Sequence, residues 1–204
     1  MKKYIFIIIF SLVLLNGLQG QTKQHLIGVR VGYNISGLDT RPDFSYKTIS
    51  TSQNFSLVYT YYHSLWGTIK LFGIQTGLSK QSQGYLSPDG ENTYETISIP
   101  LVSQFHFDFW KMRLLLNAGC FGGYRYSKSN YDGSGFDDFD NKIDFGFIAG
   151  GGLAFILKPV EIHLEGNYQY SLSYLHDPKK YSTTDYLFTY PKQLIFSVTL
   201  NIQL

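Results

Sequence analysis

Along the end of the chain, Gln193 to Leu204, apolar and polar side chains alternate without a break. Leu194, Phe196, Val198, Leu200, Ile202 and Leu204 fall on one face of an extended strand, and Ser197, Thr199, Asn201 and Gln203 fall on the other. The same period of two recurs upstream. Between Leu26 and Ser36, Ile27, Val29, Val31, Tyr33 and Ile35 oppose Gly28, Arg30, Gly32 and Asn34. Further strands are predicted over Gln53 to His63, Thr68 to Gln81, Thr93 to Phe107, Lys111 to Ser127, Lys142 to Leu157 and Val160 to Tyr174. No segment carries the 3.6-residue period of an amphipathic helix. A long last strand with a free edge invites aggregation unless another strand covers it, and the first strand is the available partner. A sheet closed by its first and last strands is a barrel.

The connections support this topology. Ser64 to Gly67, Phe109-Trp110 and Lys158-Pro159 are short, whereas Gly37 to Ser52, Ser82 to Asn92, Lys128 to Asn141 and Leu175 to Tyr190 are long and polar. Long and short alternate, as in an up-and-down barrel with tight turns at one end and loops at the other. Both chain termini fall at the short-turn end. A two-residue turn at Phe109-Trp110 predicts Phe107 opposite Met112, Ile99 opposite Cys120 and His106 opposite Arg113. The Lys158-Pro159 turn predicts Phe155 opposite Ile162, His163 opposite Ala154 and Glu165 opposite Gly152. In both hairpins the apolar faces stay in phase.

Which face points inward follows from the glycines. Gly28, Gly32, Gly73, Gly77, Gly119, Gly123, Gly146, Gly150 and Gly152 all lie on the polar face. A solvent-washed exterior has no need of small residues there, but the crowded lumen of a small barrel does. The polar face is therefore expected inside and the apolar face in lipid, which excludes a soluble lipocalin-like barrel; the Gly-x-Trp expected near a lipocalin's first strand is also missing. The predicted fold is all-β, an eight-stranded antiparallel up-and-down transmembrane β-barrel. Trp66 and Trp110 at short turns, with Tyr124, Tyr126, Tyr168, Tyr170 and Tyr174 near the loops, fit two interfacial aromatic girdles. An aromatic content of 17% against 16% charged residues suits a membrane barrel better than a soluble domain.

The first twenty residues read differently. Lys2 and Lys3, an apolar run from Tyr4 to Leu15 and the polar exit Asn16 to Gly20 describe a secretory signal peptide over 1–20, leaving 21–204 as the barrel domain. Removing Lys2 and Lys3 takes Lys+Arg from 17 to 15 against Asp+Glu 15, so the formal charge falls from +2 to zero. That balance gives no basis for a nucleic-acid partner. The single cysteine, Cys120, has no internal disulfide partner and sits among small and apolar neighbours as a packing residue.

The chain resembles the small outer-membrane β-barrel proteins of Bacteroidota grouped as PorT-type barrels. The resemblance rests on Ile27-Gly28-Val29-Arg30-Val31-Gly32-Tyr33-Asn34-Ile35-Ser36, Ile97-Ser98-Ile99-Pro100-Leu101, Asn117-Ala118-Gly119, Asp144-Phe145-Gly146 and Gly150-Gly151-Gly152. It covers nearly all of 21–204 and implies a cell-envelope protein of the outer membrane; the long loops, all opposite both termini, are expected to put the termini in the periplasm. Outer-membrane lipid and the barrel-assembly machinery are its implied partners. The family's namesake is linked to secretion; that role is not transferred.

Several polar positions are candidates for chemistry. Glu161, His163 and Glu165 recur at every second residue and all point into the lumen, toward the half that holds His106 and Arg113. Such groups can ligate zinc. A buried ion network with Arg30 and Arg113 fits better, because charges cut off from water must be paired. Arg125 and Asp144 are expected opposite one another as a pair at the mouth. Asp132, Asp137, Asp138 and Asp140 make the third long loop acidic without the EF-hand spacing and are expected to be solvated. The fourth mixes Lys179 and Lys180 with Tyr181, Tyr186, Phe188 and Tyr190, a surface for lipopolysaccharide phosphates or an external or secretion-system protein. No nucleophile motif, phosphate-cradling loop, metal signature or cofactor motif is present, so catalytic, cofactor and metal residues are none.

Two functions of different class follow. The first is a non-enzymatic outer-membrane barrel with a side-chain-filled lumen, acting through its external loops in a structural, adhesive or secretion-accessory role. The second is a lipid-modifying hydrolase or acyltransferase using His63 or His176, expected to be exposed, with a Ser and an acid. Passive transport is disfavoured, since eight strands enclose a lumen that side chains can fill.

Overall fold

The last strand closes on the first. A computed structural model describes residues 23–42, 46–65, 69–130, 132–133, 135–181 and 188–204; the segment 1–20 expected to be a signal peptide, Trp66, Tyr131 and Tyr186 lie outside them. Eight strands follow in order: β1 (Lys23–Arg41), β2 (Lys47–Leu65), β3 (Ile69–Ser87), β4 (Gly90–Phe109), β5 (Met112–Ser129), β6 (Ile143–Leu157), β7 (Val160–Ser171) and β8 (Phe188–Gln203). A single helical turn, α1 (Pro178–Tyr181), precedes β8. Each strand pairs antiparallel with the next, and β8 pairs with β1 from Leu26–Gln203 to Arg41–Phe188 in one unbroken register, giving a closed barrel.

Alternation decides which side each residue takes. In β8, Phe196, Val198, Leu200 and Ile202 are exposed on the outer wall, while Ser197, Thr199 and Asn201 are buried in the lumen; Val198 is 46% exposed and Thr199 0%. Ile27, Val29 and Val31 of β1 and Ile97, Ile99 and Leu101 of β4 extend the apolar wall around the barrel. Cys120 is also exposed on that wall rather than packed. Inside, strands approach where glycine leaves room. A Cβ on Gly150 would run into the Gly166 carbonyl, and one on Gly152 into the Leu164 carbonyl.

The β6–β7 hairpin has the predicted register, with His163 opposite Ala154 and Glu165 opposite Gly152. The β4–β5 hairpin does not. Its turn is Trp110-Lys111, with Trp110 at a left-handed φ of 56°, so Phe109 faces Met112, Phe107 faces Leu114 and Leu101 faces Cys120. The two-residue slip preserves which face is apolar but changes every partner. His106 faces Leu115, and Arg113 faces Asp108.

Two of the expected long loops are largely strand. β1 runs on to Arg41 and β2 starts at Lys47, while β3 and β4 continue to a tight turn at Pro88-Asp89. Their Ser- and Thr-rich sequences still alternate, and Tyr85 and Tyr94 turn inward to meet Leu175 in a small apolar cluster above the lumen. The wall is therefore taller on the β1–β5 side. β7 ends at Ser171, short of Tyr174, and the remaining loops fill the gap over β6 and β7. Asn141 N–H donates to the Leu175 carbonyl at 2.9 Å, Asp177 N–H to the Phe139 carbonyl at 2.7 Å, and Leu175 N–H to the Thr189 carbonyl at 2.8 Å.

Candidate functional site

The lumen is built in tiers. Nearest the short turns, Arg113 is fully buried and grips Asp108 through Nε and Nη2 at 2.6 and 3.1 Å. Its Nη1 donates to Glu161 Oε2 at 3.2 Å and its Nη2 to Gln24 Oε1 at 3.2 Å. Gln24 in turn donates to the other Glu161 oxygen, and His163 Nε2 lies 3.2 Å from Glu161 Oε2. The Arg113 guanidinium also sits 4.3 Å above the Tyr62 ring, which makes a T-shaped contact with His106 at 4.4 Å between centroids.

The next tier centres on Arg30 and Glu165, which form an ion pair. Arg30 Nε donates to Thr199 Oγ1 at 2.9 Å and Nη2 to Gln75 Oε1 at 2.8 Å. Glu165 Oε1 accepts from Asn117 at 2.8 Å and from Gln104 at 3.3 Å. The Tyr62 hydroxyl donates to Gln104 and joins the two tiers. Arg30 and Arg113 thus serve separate carboxylates: Arg113 meets Asp108 and Glu161 in the first tier and Arg30 meets Glu165 in the second, with neutral amides taking up remaining lone pairs, as buried charges require.

Above them the lumen changes character. Val102, Phe121 and Ile148 form a buried apolar layer, followed by a neutral amide tier in which Gln193 donates to Gln169 at 2.6 Å and Gln81 at 2.9 Å. The cavity beside Arg30, Asn54, Gln75 and Ser197 measures ≈ 30 Å³, about the volume of one water. The barrel is filled, not open.

At the mouth, Arg125 Nη2 lies 2.7 Å from Asp144 Oδ1, and its Nη1 donates to the Asn141 and Ile143 carbonyls. The pair is diagonal rather than directly opposite, because Asp144 stands across from Gly123. Over it lies a feature that the sequence reading missed. Lys128, whose side chain is almost fully buried, holds Asp137 and Asp140 at 2.7 and 2.6 Å between the rings of Tyr94 and Phe139. Asp140 is therefore a buried ion-pair partner and not a solvated loop residue.

His176 is likewise buried, against expectation. It lies 3.3 Å from Asp140 and 3.4 Å from the Thr189 hydroxyl. Desolvation, helped by the nearby Lys128 and Arg125 charges, pushes its imidazole down to about 4. His63 is half-buried at the far end, beside Tyr61. The two histidines considered for hydrolysis are thus at opposite ends, and the one that meets an acid is closed off from substrate. Among the described residues, no group of three His, Cys, Asp or Glu side chains is placed to hold a metal ion.

Parity of alternation places Gln75, Gln104 and Asn117 on the inward face, as the structure does, and carried back beyond Leu26 it places Gln24 there too. Asp108 was hidden by the register slip and Lys128 by its place in an apparent loop.

No protein-family model matches the sequence, and no curated protein matches it significantly. Solved structures do. Neisserial surface protein A superposes with a TM-score of 0.52 at 11% identity, covering 86% of this chain and 96% of that one. Ail, the attachment invasion locus protein of Yersinia pestis solved with the heparin analogue sucrose octasulfate, gives 0.45 at 14% identity over 90% of this chain and 100% of its own. The N-terminal barrel domain of Pseudomonas aeruginosa OprF gives 0.45 at 11% identity over 86% and 99%. At such identity the likeness to the Neisserial protein is one of fold: this chain is a ring of eight hydrogen-bonded antiparallel strands, similar to the small outer-membrane β-barrels.

Proposed function

We propose that this chain is a non-enzymatic integral outer-membrane barrel of the PorT-type kind, exported by removal of segment 1–20 and inserted by the barrel-assembly machinery. The observation that carries this reading is the inversion of polarity between the two faces of one sheet. A continuous belt of Ile, Val, Leu and Phe covers the outside, while ion pairs and amides fill the inside. In water such a belt would be a large exposed apolar patch; in a bilayer it is the required surface. The outward positions of β8 from Leu194 to Ile202 match the roughly 9 to 11 residues that a tilted strand needs to cross.

Sealed by its side chains, the barrel acts through its loop end, where the tall β1–β5 wall and the Lys128-centred cap form a rigid platform for a structural, adhesive or secretion-accessory role. The short turns and both termini face the periplasm. Fractionation and gel mobility test the reading: the protein should partition with the outer membrane and migrate differently before and after heating, because the ladder of a closed barrel breaks only as a whole. Recovery as a soluble periplasmic protein would remove it.

A further inference from the structure

Charge is sorted by sign at the short-turn end. Its carboxylates, Asp108 and Glu161, point into the lumen, where Arg113 holds both. Its lysines stay on the rim. Lys111 and Lys158 are exposed in the β4–β5 and β6–β7 turns, and among the described residues neither has a carboxylate within ion-pairing distance. Lys23 opens β1 and Lys70 stands at the start of β3, so a lysine marks the entry of the chain and each of the three short connections. Against them stands the α-carboxylate of the exposed Leu204, after β8. The loop end is not sorted in this way: exposed Lys47, Lys142 and Lys179 are interspersed with exposed Asp89, Glu91 and Asp132.

In both turns the lysine directly follows an outward apolar side chain, Trp110 or Leu157, at 90% and 56% exposure. Trp110 takes a left-handed φ of 56°, a conformation that turns more commonly give to Gly or Asn. With its ring in the open, packing within the barrel does not account for a tryptophan there. Lys111 Nζ lies 5.9 Å from the ring centroid, so indole and ammonium are presented together.

We propose that the rim lysines and Trp110 form an interaction surface for anionic phospholipid, with Lys111 and Lys158 drawing phosphatidylglycerol-type headgroups to the leaflet at the short-turn end. A lysine at a membrane surface favours a negative headgroup about fivefold. The indole fits the boundary between the apolar belt and those headgroups. Because Asp108 and Glu161 are withdrawn into the lumen and paired, they do not oppose the attraction. The inference rests on the membrane reading above and adds a lipid class and a leaflet to it.

Trp110 is its own reporter. A Trp66→Phe background leaves it as the single tryptophan. The full barrel is reconstituted into vesicles of one fixed phosphatidylcholine and phosphatidylglycerol composition, with equal amounts of bromine carried high on the acyl chains of one lipid or the other. Quenching of Trp110 should report about fivefold enrichment of phosphatidylglycerol at low salt. In about 1 M salt, where exposed charges are screened within about 3 Å, the enrichment should fall toward unity. Lys111→Gln with Lys158→Gln should remove most of it, whereas Lys111→Arg with Lys158→Arg, and Lys47→Gln with Lys142→Gln at the loop end, should keep it. Heat-modifiable migration checks the folding of each variant; if the turn glutamine variant does not fold, the salt series decides. Equal quenching by the two lipids, or an enrichment that survives high salt or the turn glutamines, would overturn the surface, as would equal loss in the loop-end variant. A Trp110 quenched by neither lipid would instead overturn the membrane reading beneath it.

Discussion

Arg113 and Asp108 hold each other across the β4–β5 turn through two hydrogen bonds, at 2.6 and 3.1 Å, with the guanidinium fully buried and its face on Tyr62. The pair seals the short-turn end of the lumen, and Glu161 and Gln24 complete it. Breaking a buried ion pair on one side leaves the other charge uncompensated. Arg113→Met is therefore expected to cost about 3–5 kcal/mol, read as a lowered urea midpoint for refolded barrel. Adding Asp108→Leu and Glu161→Gln to Arg113→Met should recover a large part of that loss. If the triple variant is no more stable than the single one, the charges are not what the site depends on.

Crowding in the lumen can be tested at the glycines. Gly152→Leu should destabilise the barrel by about 1–3 kcal/mol through overpacking, since the new side chain would start against the Leu164 carbonyl and Glu165. Gly135, in the third loop, has open space around it, and Gly135→Leu should be neutral in the same unfolding assay. Equal tolerance at both positions would mean that the lumen is wider than the tiers imply.

The cap should loosen in acid. His176 is held neutral in the docked loops, with its imidazole pushed down to about 4, mainly by desolvation. Once the loops detach, the ring returns to its ordinary range near 6.5. Between those values the detached state binds a proton that the docked state does not, so docking is fully favoured above about pH 6.5 and weakens as pH falls toward 4. Hydrogen exchange at the Asn141 and Asp177 amides, which bridge the two loops, should accelerate across this window relative to β8 amides. His176→Gln should remove the dependence.

The chain's alternation revealed the barrel because the period of two survives wherever an apolar face looks outward and the other face packs a polar lumen. Leu194 to Leu204 and the β6–β7 hairpin could be read residue by residue. The β4–β5 partners could not, since a two-residue slip keeps both faces in phase and alternation is blind to it; the left-handed Trp110 was the deciding feature. Polar strand extensions such as Thr48 to Thr51 looked like loops, because above the apolar belt neither face needs to be apolar. His176 and Asp140 looked solvated for a related reason: their burial comes from loops meeting across a gap, and local sequence carries no trace of such a meeting.

The assignment of inside and outside can be tested on adjacent residues of β8. Val198 is at the centre of the outward run from Leu194 to Ile202, and its side chain is exposed on the wall. Val198→Arg should cost about 2–4 kcal/mol, the penalty for a cation on a barrel's lipid face near the midplane. Thr199 is fully buried and accepts a hydrogen bond from Arg30 at 2.9 Å. Thr199→Arg would set a second guanidinium beside Arg30 in a filled lumen and should also destabilise the barrel, through crowding and like charge. Bilayer thickness separates the two causes. In thin membranes the arginine at position 198 can extend to the headgroups, and stability should recover; at position 199 the arginine never meets lipid, so its cost should stay constant. Refolding both variants into lipids of graded chain length gives the contrast directly. A thickness dependence shared by both, or confined to the Thr199 variant, would show that the apolar face of this barrel is not the one in the membrane.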